Sequence, residues 1–165
     1  MRIYLPATVP MLRTLLDDGE IGTPPLSAFA VTPAVREWYA ESDAEELEYA
    51  ALREAAAASL RLIDADPGAA RRRVVVVADL PEGQVRPRAD LERAVVELSV
   101  AVPLPLVAAV HADTADAEPA VRAAVNVAIE ADMGSDDAQF IVDEAEGHEL
   151  AWYATQEIGA LIELL

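Results

Sequence analysis

The chain of 165 residues contains no cysteine. That excludes disulfides, thiolate metal ligands and cysteine nucleophiles, and it fits a reducing cytoplasm. It contains no lysine either, so all twelve basic residues are arginine. Only two histidines are present, His111 and His148, which with no cysteine leaves little material for the common catalytic triads and none for a zinc site with several His or Cys ligands. Long apolar runs are missing as well. "VAVPLPLVAAV" (100–110) is too short to cross a bilayer and holds two prolines. The N-terminal "MRIYLPATVP" lacks the apolar core of a secretory signal. No G-x-G-x-x-G, P-loop, H-E-x-x-H or G-x-S-x-G motif occurs.

What the chain does have is acid and aliphatic residues. Thirty Asp and Glu against twelve Arg give a net charge of −18, and hydrophobic residues make up 53%. The length and apolar content predict a single globular domain over 1–165. The negative field opposes binding to nucleic acid and to anionic membranes and favours cationic partners, metal ions included. The Ala, Val and Arg excess matches a GC-rich genome.

The pattern alternates strands and helices. "RIYLPAT" reads as a first strand closed by Pro6. Thr8 caps a helix with Val9, Leu12, Leu15 and Leu16 on one face. "LSAFAV" (26–31) reads as a strand. Thr32 caps a helix with Pro33 at its first position. Ser42 and Glu45 have capping-box spacing before a long helix to about Ile63, with stripes at Leu47, Ala51, Ala55, Ala58 and Leu62 and at Tyr49, Leu52, Ala56 and Ile63. Val74 to Val77 predict a strand buried on both faces. In 91–102 Leu91, Val95, Leu98 and Val102 fit a helix, while the β-branched content and the alternation of Val96, Leu98, Val100 and Val102 fit a strand, the preferred reading; 106–113 read as another strand. Asp116 caps a helix whose inner face is Val121, Ala124, Val125 and Ala128. "AQFIVDEAEGHELAWY" reads as a C-terminal hairpin around Gly147, and Thr155 caps a short last helix. The sum is an α/β fold (an α+β sandwich), with helices on a mixed sheet of about five to seven strands.

Three groups of residues could carry chemistry. Asp79, His111 and Asp113 close two predicted strands, and ligands gather at strand ends in open α/β sheets. One imidazole with two carboxylates suits a divalent metal or general acid–base work, so these residues are candidates for both. "DEAEGHE" (143–149) offers Asp143, Glu146 and His148 as further metal candidates, without the spacing of an EF-hand. The acids of "AESDAEELEY" suit a helix N-terminus and could also dock a basic partner.

The triplet Trp-Tyr-Ala occurs twice, in "REWYAES" (36–42) and "LAWYATQ" (150–156). The first falls on a helix and the second on a strand, so a duplication is not implied. On the strand, Trp152 is expected to face the core with Leu150. Tyr153 then lies on the other face as an interface candidate.

The blocks "RIYLPAT", "FAVTP", "EELEYAA", "RRVVVVADL", "AAVHAD" and "LAWYATQE" together resemble an uncharacterised actinobacterial family, a domain of unknown function. The resemblance implies a single cytoplasmic domain and assigns no activity. Sparse catalytic material and an apolar ending, "LIELL", favour a non-catalytic interaction or regulatory protein that self-associates or binds a protein partner. The competing expectation is a small carboxylate- and histidine-based metal-binding protein or hydrolase that uses Asp79, His111 and Asp113.

Overall fold

The computed structural model describes residues 1–165. In chain order the elements are β1 (Arg2–Ala7), α1 (Val9–Asp18), β2 (Glu20–Ile21), β3 (Leu26–Phe29), α2 (Pro33–Trp38) and α3 (Ala44–Ala65). Then come β4 (Val74–Asp79), β5 (Val85–Pro87), β6 (Val95–Leu98), β7 (Val102–Pro103) and β8 (Val107–Ala112). The chain ends with α4 (Glu118–Asp132), α5 (Asp136–Glu146), β9 (Ala151–Ala154) and α6 (Ile158–Leu164). Seven strands form one sheet in the order β5-β6-β3-β1-β4-β8-β9, and β2 pairs with β7 in a small second sheet.

Every strand pair is antiparallel, which corrects the expected mixed sheet. The four valines of β4 are buried on both faces as expected. The reason is coverage by helices on both sides, which imposes the same apolar run on an antiparallel strand as on a parallel one.

Strand alternation divides the core between the two faces. On one face Ile3, Leu5, Val74, Val76 and Val110 pack against Val9, Leu12 and Leu15 of α1 and Ile158, Leu161 and Ile162 of α6. On the other, Tyr4, Val75, Val77 and Ala109 meet Ala51, Ala55 and Ala56 of α3. The alanines let α3 lie close to the sheet. Ser59 fastens it there: its buried hydroxyl donates to the Ala7 carbonyl (2.7 Å) and accepts from the Val74 N–H (3.1 Å). Outside α3, Leu60 and Ile63 pack with Val121, Ala124, Val125, Val142 and Ala145, so the α4–α5 pair forms a further helical layer.

Local signals were placed well in several elements. Thr8 and Thr32 cap α1 and α2, each followed by a proline in the first turn. The predicted inner face of α4 is buried as written. The capping box before α3 exists one residue later, as Asp43 and Glu46.

Other expectations are corrected. β1 runs through Pro6 to Ala7. Within 91–102 the strand β6 covers only Val95–Leu98; a turn precedes it, and after a bend β7 begins at Val102 in the other sheet. Asp116 lies in a 3-10 turn and does not cap α4. Thr155 does not cap α6; its hydroxyl donates to the Val107 carbonyl (2.9 Å). The expected C-terminal hairpin is absent. Its first arm is helix α5, capped by Ser135, and buries Ala138, Val142 and Ala145 at i, i+4 and i+7. Phe140, which suggested a strand, is exposed.

Candidate functional site

The structure does not bring Asp79, His111 and Asp113 together. β4 and β8 run antiparallel, with Val74 opposite Ala112 and Ala78 opposite Val107. Their carboxyl ends therefore lie at opposite ends of the sheet, about 20 Å apart over six residues of strand. Asp79 accepts two hydrogen bonds from Arg2, both at 3.0 Å, and this pairing holds its carboxyl below the usual range. Asp113 is buried against Arg73. The guanidinium donates to both carboxylate oxygens, at 2.9 and 2.7 Å, and the Arg73 N–H adds a third bond at 2.7 Å. Both carboxylates serve structural ion pairs.

Asp143 and Glu146 lie on α5, and His148 follows its end. Asp143 accepts from the Gln139 amide at 2.8 Å. The His148 backbone carbonyl accepts from Arg73 at 2.7 Å, so this segment fastens the ion pair. Nowhere does a group of three or more His, Asp or Glu side chains gather as metal ligands.

His111 sits elsewhere, on the α3 side of the sheet. Tyr4, Val77 and Ala109 form one row across β1, β4 and β8, and Val75, His111 and Trp152 form the next. Val77 and Ala109 are small, so the floor is hollow between Tyr4 and the His111–Trp152 pair. At ordinary strand spacing the backbones of Tyr4 and His111 stand about 12 Å apart. α3 supplies the wall with Glu45, Glu48, Tyr49 and Leu52, spaced i, i+3, i+4 and i+7 on one face. The resulting cleft has a volume of about 390 Å³, within the range that holds small ligands.

Its polar groups are unusual for this protein. Tyr4 is 6% exposed. Its hydroxyl has no partner in the protein and opens into the cleft, because every buried side-chain oxygen is hydrogen-bonded. Burial, with the nearby Glu48 charge, pushes its pKa up to about 12. Burial also lowers the pKa of His111, favouring the neutral imidazole with one acceptor nitrogen. At the rim the Tyr49 hydroxyl donates to Glu149 at 2.9 Å.

The sequence-based placement of the second Trp-Tyr pair is reversed. Trp152 is 60% exposed, on the cleft face opposite His111. Tyr153 is opposite Val110 and packs against the main core. Strand alternation separated the two rings correctly, but which face holds the larger core depends on α1 and α6, far away in sequence.

The fold and cleft together define an α+β protein: a seven-stranded antiparallel sheet between helical layers, with an acidic, aromatic-lined hollow on one face. The chain belongs to a family of unknown function (DUF6912), whose model matches residues 1–162. No curated protein and no solved structure matches it detectably. No helix is long and apolar enough to cross a membrane.

Proposed function

We propose that the protein is a non-catalytic interaction module that self-associates through the outer edge of β9. One observation carries this reading, the difference between the two edges of the large sheet. β5 is protected in the usual way, by Arg86 and Pro87 on the edge itself. β9 is Ala-Trp-Tyr-Ala, without charge or proline, and pairs only with β8. An open edge of this kind is a template for another strand. Two copies meeting antiparallel across a twofold axis make a self-complementary contact. The engagement of Asp79 and Asp113 in ion pairs supports a non-catalytic role. A cytoplasmic, actinobacterial setting belongs to the same reading, supported by the absence of cysteine and the Ala, Val and Arg excess.

Sedimentation velocity from low to high micromolar concentration tests it. The expected result is a concentration-dependent dimer, lost in Trp152→Lys, which places a charge at an exposed position of the edge strand, with the thermal unfolding transition retained. A wild-type protein that stays monomeric throughout overturns the proposal.

A further inference from the structure

We infer that the cleft between α3 and the β1-β4-β8-β9 face is a binding site for a small, donor-rich organic cation, such as one bearing an amidinium or guanidinium. The inference does not rest on self-association: the site is built on the face of the sheet, and of its lining residues only Trp152 belongs to the edge strand β9.

The argument starts from charge. Glu45 and Glu48 line the wall without a salt-bridge partner, whereas the one arginine at the cleft, Arg2, is neutralised by Asp79. The cleft is therefore net negative within a protein of charge −18, and this combination attracts and concentrates cations. Acidic residues alone would suit any cation, a hydrated metal included. The rings narrow the choice. Tyr49 and Trp152, both exposed, line the same space, and aromatic faces attract organic cations that shed water readily.

Hydrogen-bonding capacity points the same way. The cleft offers two carboxylates, the Tyr4 hydroxyl oxygen and the acceptor nitrogen of a neutral His111. Tyr4 is the most telling. It is more than nine-tenths buried, yet its hydroxyl is aimed into the cleft with no protein partner. Since no buried side-chain oxygen lacks a partner, this hydroxyl is the accessible tip of an otherwise buried ring, open to a molecule that enters the cleft. A planar cation with several N–H groups meets these acceptors with charge-assisted hydrogen bonds and stacks on the rings.

Benzamidinium and benzamide, nearly identical in shape and different in charge, provide the test. In a Trp38→Phe background Trp152 is the only tryptophan, and titration at a protein concentration where sedimentation shows a single species makes its fluorescence report the cleft and not the β9 edge. Benzamidinium is expected to give a saturable change, with a dissociation constant at least about tenfold lower than that of benzamide. Glu48→Gln, on an exposed helix position, and Tyr4→Phe, which removes only the hydroxyl, should each weaken benzamidinium several-fold with the thermal transition retained. Absence of a saturable response, equal affinity for the two compounds, or affinity unchanged in both variants overturns the inference. Sedimentation of the same samples is a separate readout, so a monomeric protein that binds benzamidinium refutes self-association and leaves the cation site standing.

Discussion

Arg73 and Asp113 form a fully buried, bidentate ion pair at the junction of β4 and β8, with side-chain exposures of 2% and 0%. The Asp113 N–H also donates to the Arg73 carbonyl at 3.1 Å, extending the strand ladder by one step. A third partner, the His148 carbonyl, ties the guanidinium to the segment after α5. One pair thus joins the sheet to the outer helical layer. It accounts for two of the five buried polar or charged residues in the chain.

Removing one partner leaves a buried charge unpaired. Asp113→Asn is expected to destabilise the protein by about 3–5 kcal/mol. The double variant Arg73→Met/Asp113→Leu removes both charges and should recover a large part of that loss. Urea unfolding of the two proteins checks this. A double variant no more stable than Asp113→Asn would show that the charge itself is not the cost.

Ser59→Ala tests the fastening of α3. The substitution leaves the Ala7 carbonyl and the Val74 N–H without their buried partner. Each unsatisfied group costs about 1–3 kcal/mol, so a fall of about 2–6 kcal/mol in unfolding free energy is expected for the two. Chemical denaturation measures it. A change below about 0.5 kcal/mol would mean that the hydroxyl is not holding α3 to the sheet.

Much of this architecture was legible from local signals, because caps and helical stripes depend on residues close in sequence. Thr8 with Val9, Leu12 and Leu15 specifies α1, and Val121, Ala124, Val125 and Ala128 specify the inner face of α4. The failures lie where local and tertiary signals compete. Phe140, Ile141 and Val142 favour a strand by propensity, but Ala138, Val142 and Ala145 place a helix against Ile63 and Val125. The cleft was only half visible. Tyr49 and Leu52 share a readable helical stripe, but Tyr4, His111 and Trp152 come from three strands whose adjacency no local pattern encodes.

Tyr4 should leave a signature in the alkaline range. Its ordinary pKa is 10.0, and the fold raises it to about 12. Between these values the folded protein keeps a proton that the unfolded chain releases, so folding stability falls as pH rises. The contribution is complete below pH 10 and disappears as pH passes the raised value. Wild-type protein is therefore expected to lose more stability over this window than Tyr4→Phe, as seen in urea midpoints at a series of pH values. Parallel pH profiles for the two proteins would show that the Tyr4 hydroxyl is not held in the protonated state.

Salt should act in opposite directions on the two proposed interactions. Each copy carries a charge of −18, so bringing two together through the β9 edge costs repulsion. Raising ionic strength from 0.01 to 0.15 M shortens the screening length from about 30 Å to about 8 Å. Dimerisation through an uncharged edge is then expected to strengthen with salt. Cation binding in the cleft depends on attraction by Glu45 and Glu48, so it is expected to weaken over the same range. Sedimentation velocity and the Trp152 titration, run in matched buffers, measure both slopes on one protein. A dimer that weakens with salt would place oppositely charged groups in the interface and rule out the bare β9 edge as its main contact. Benzamidinium affinity that does not change with salt would remove the electrostatic basis of the cleft site.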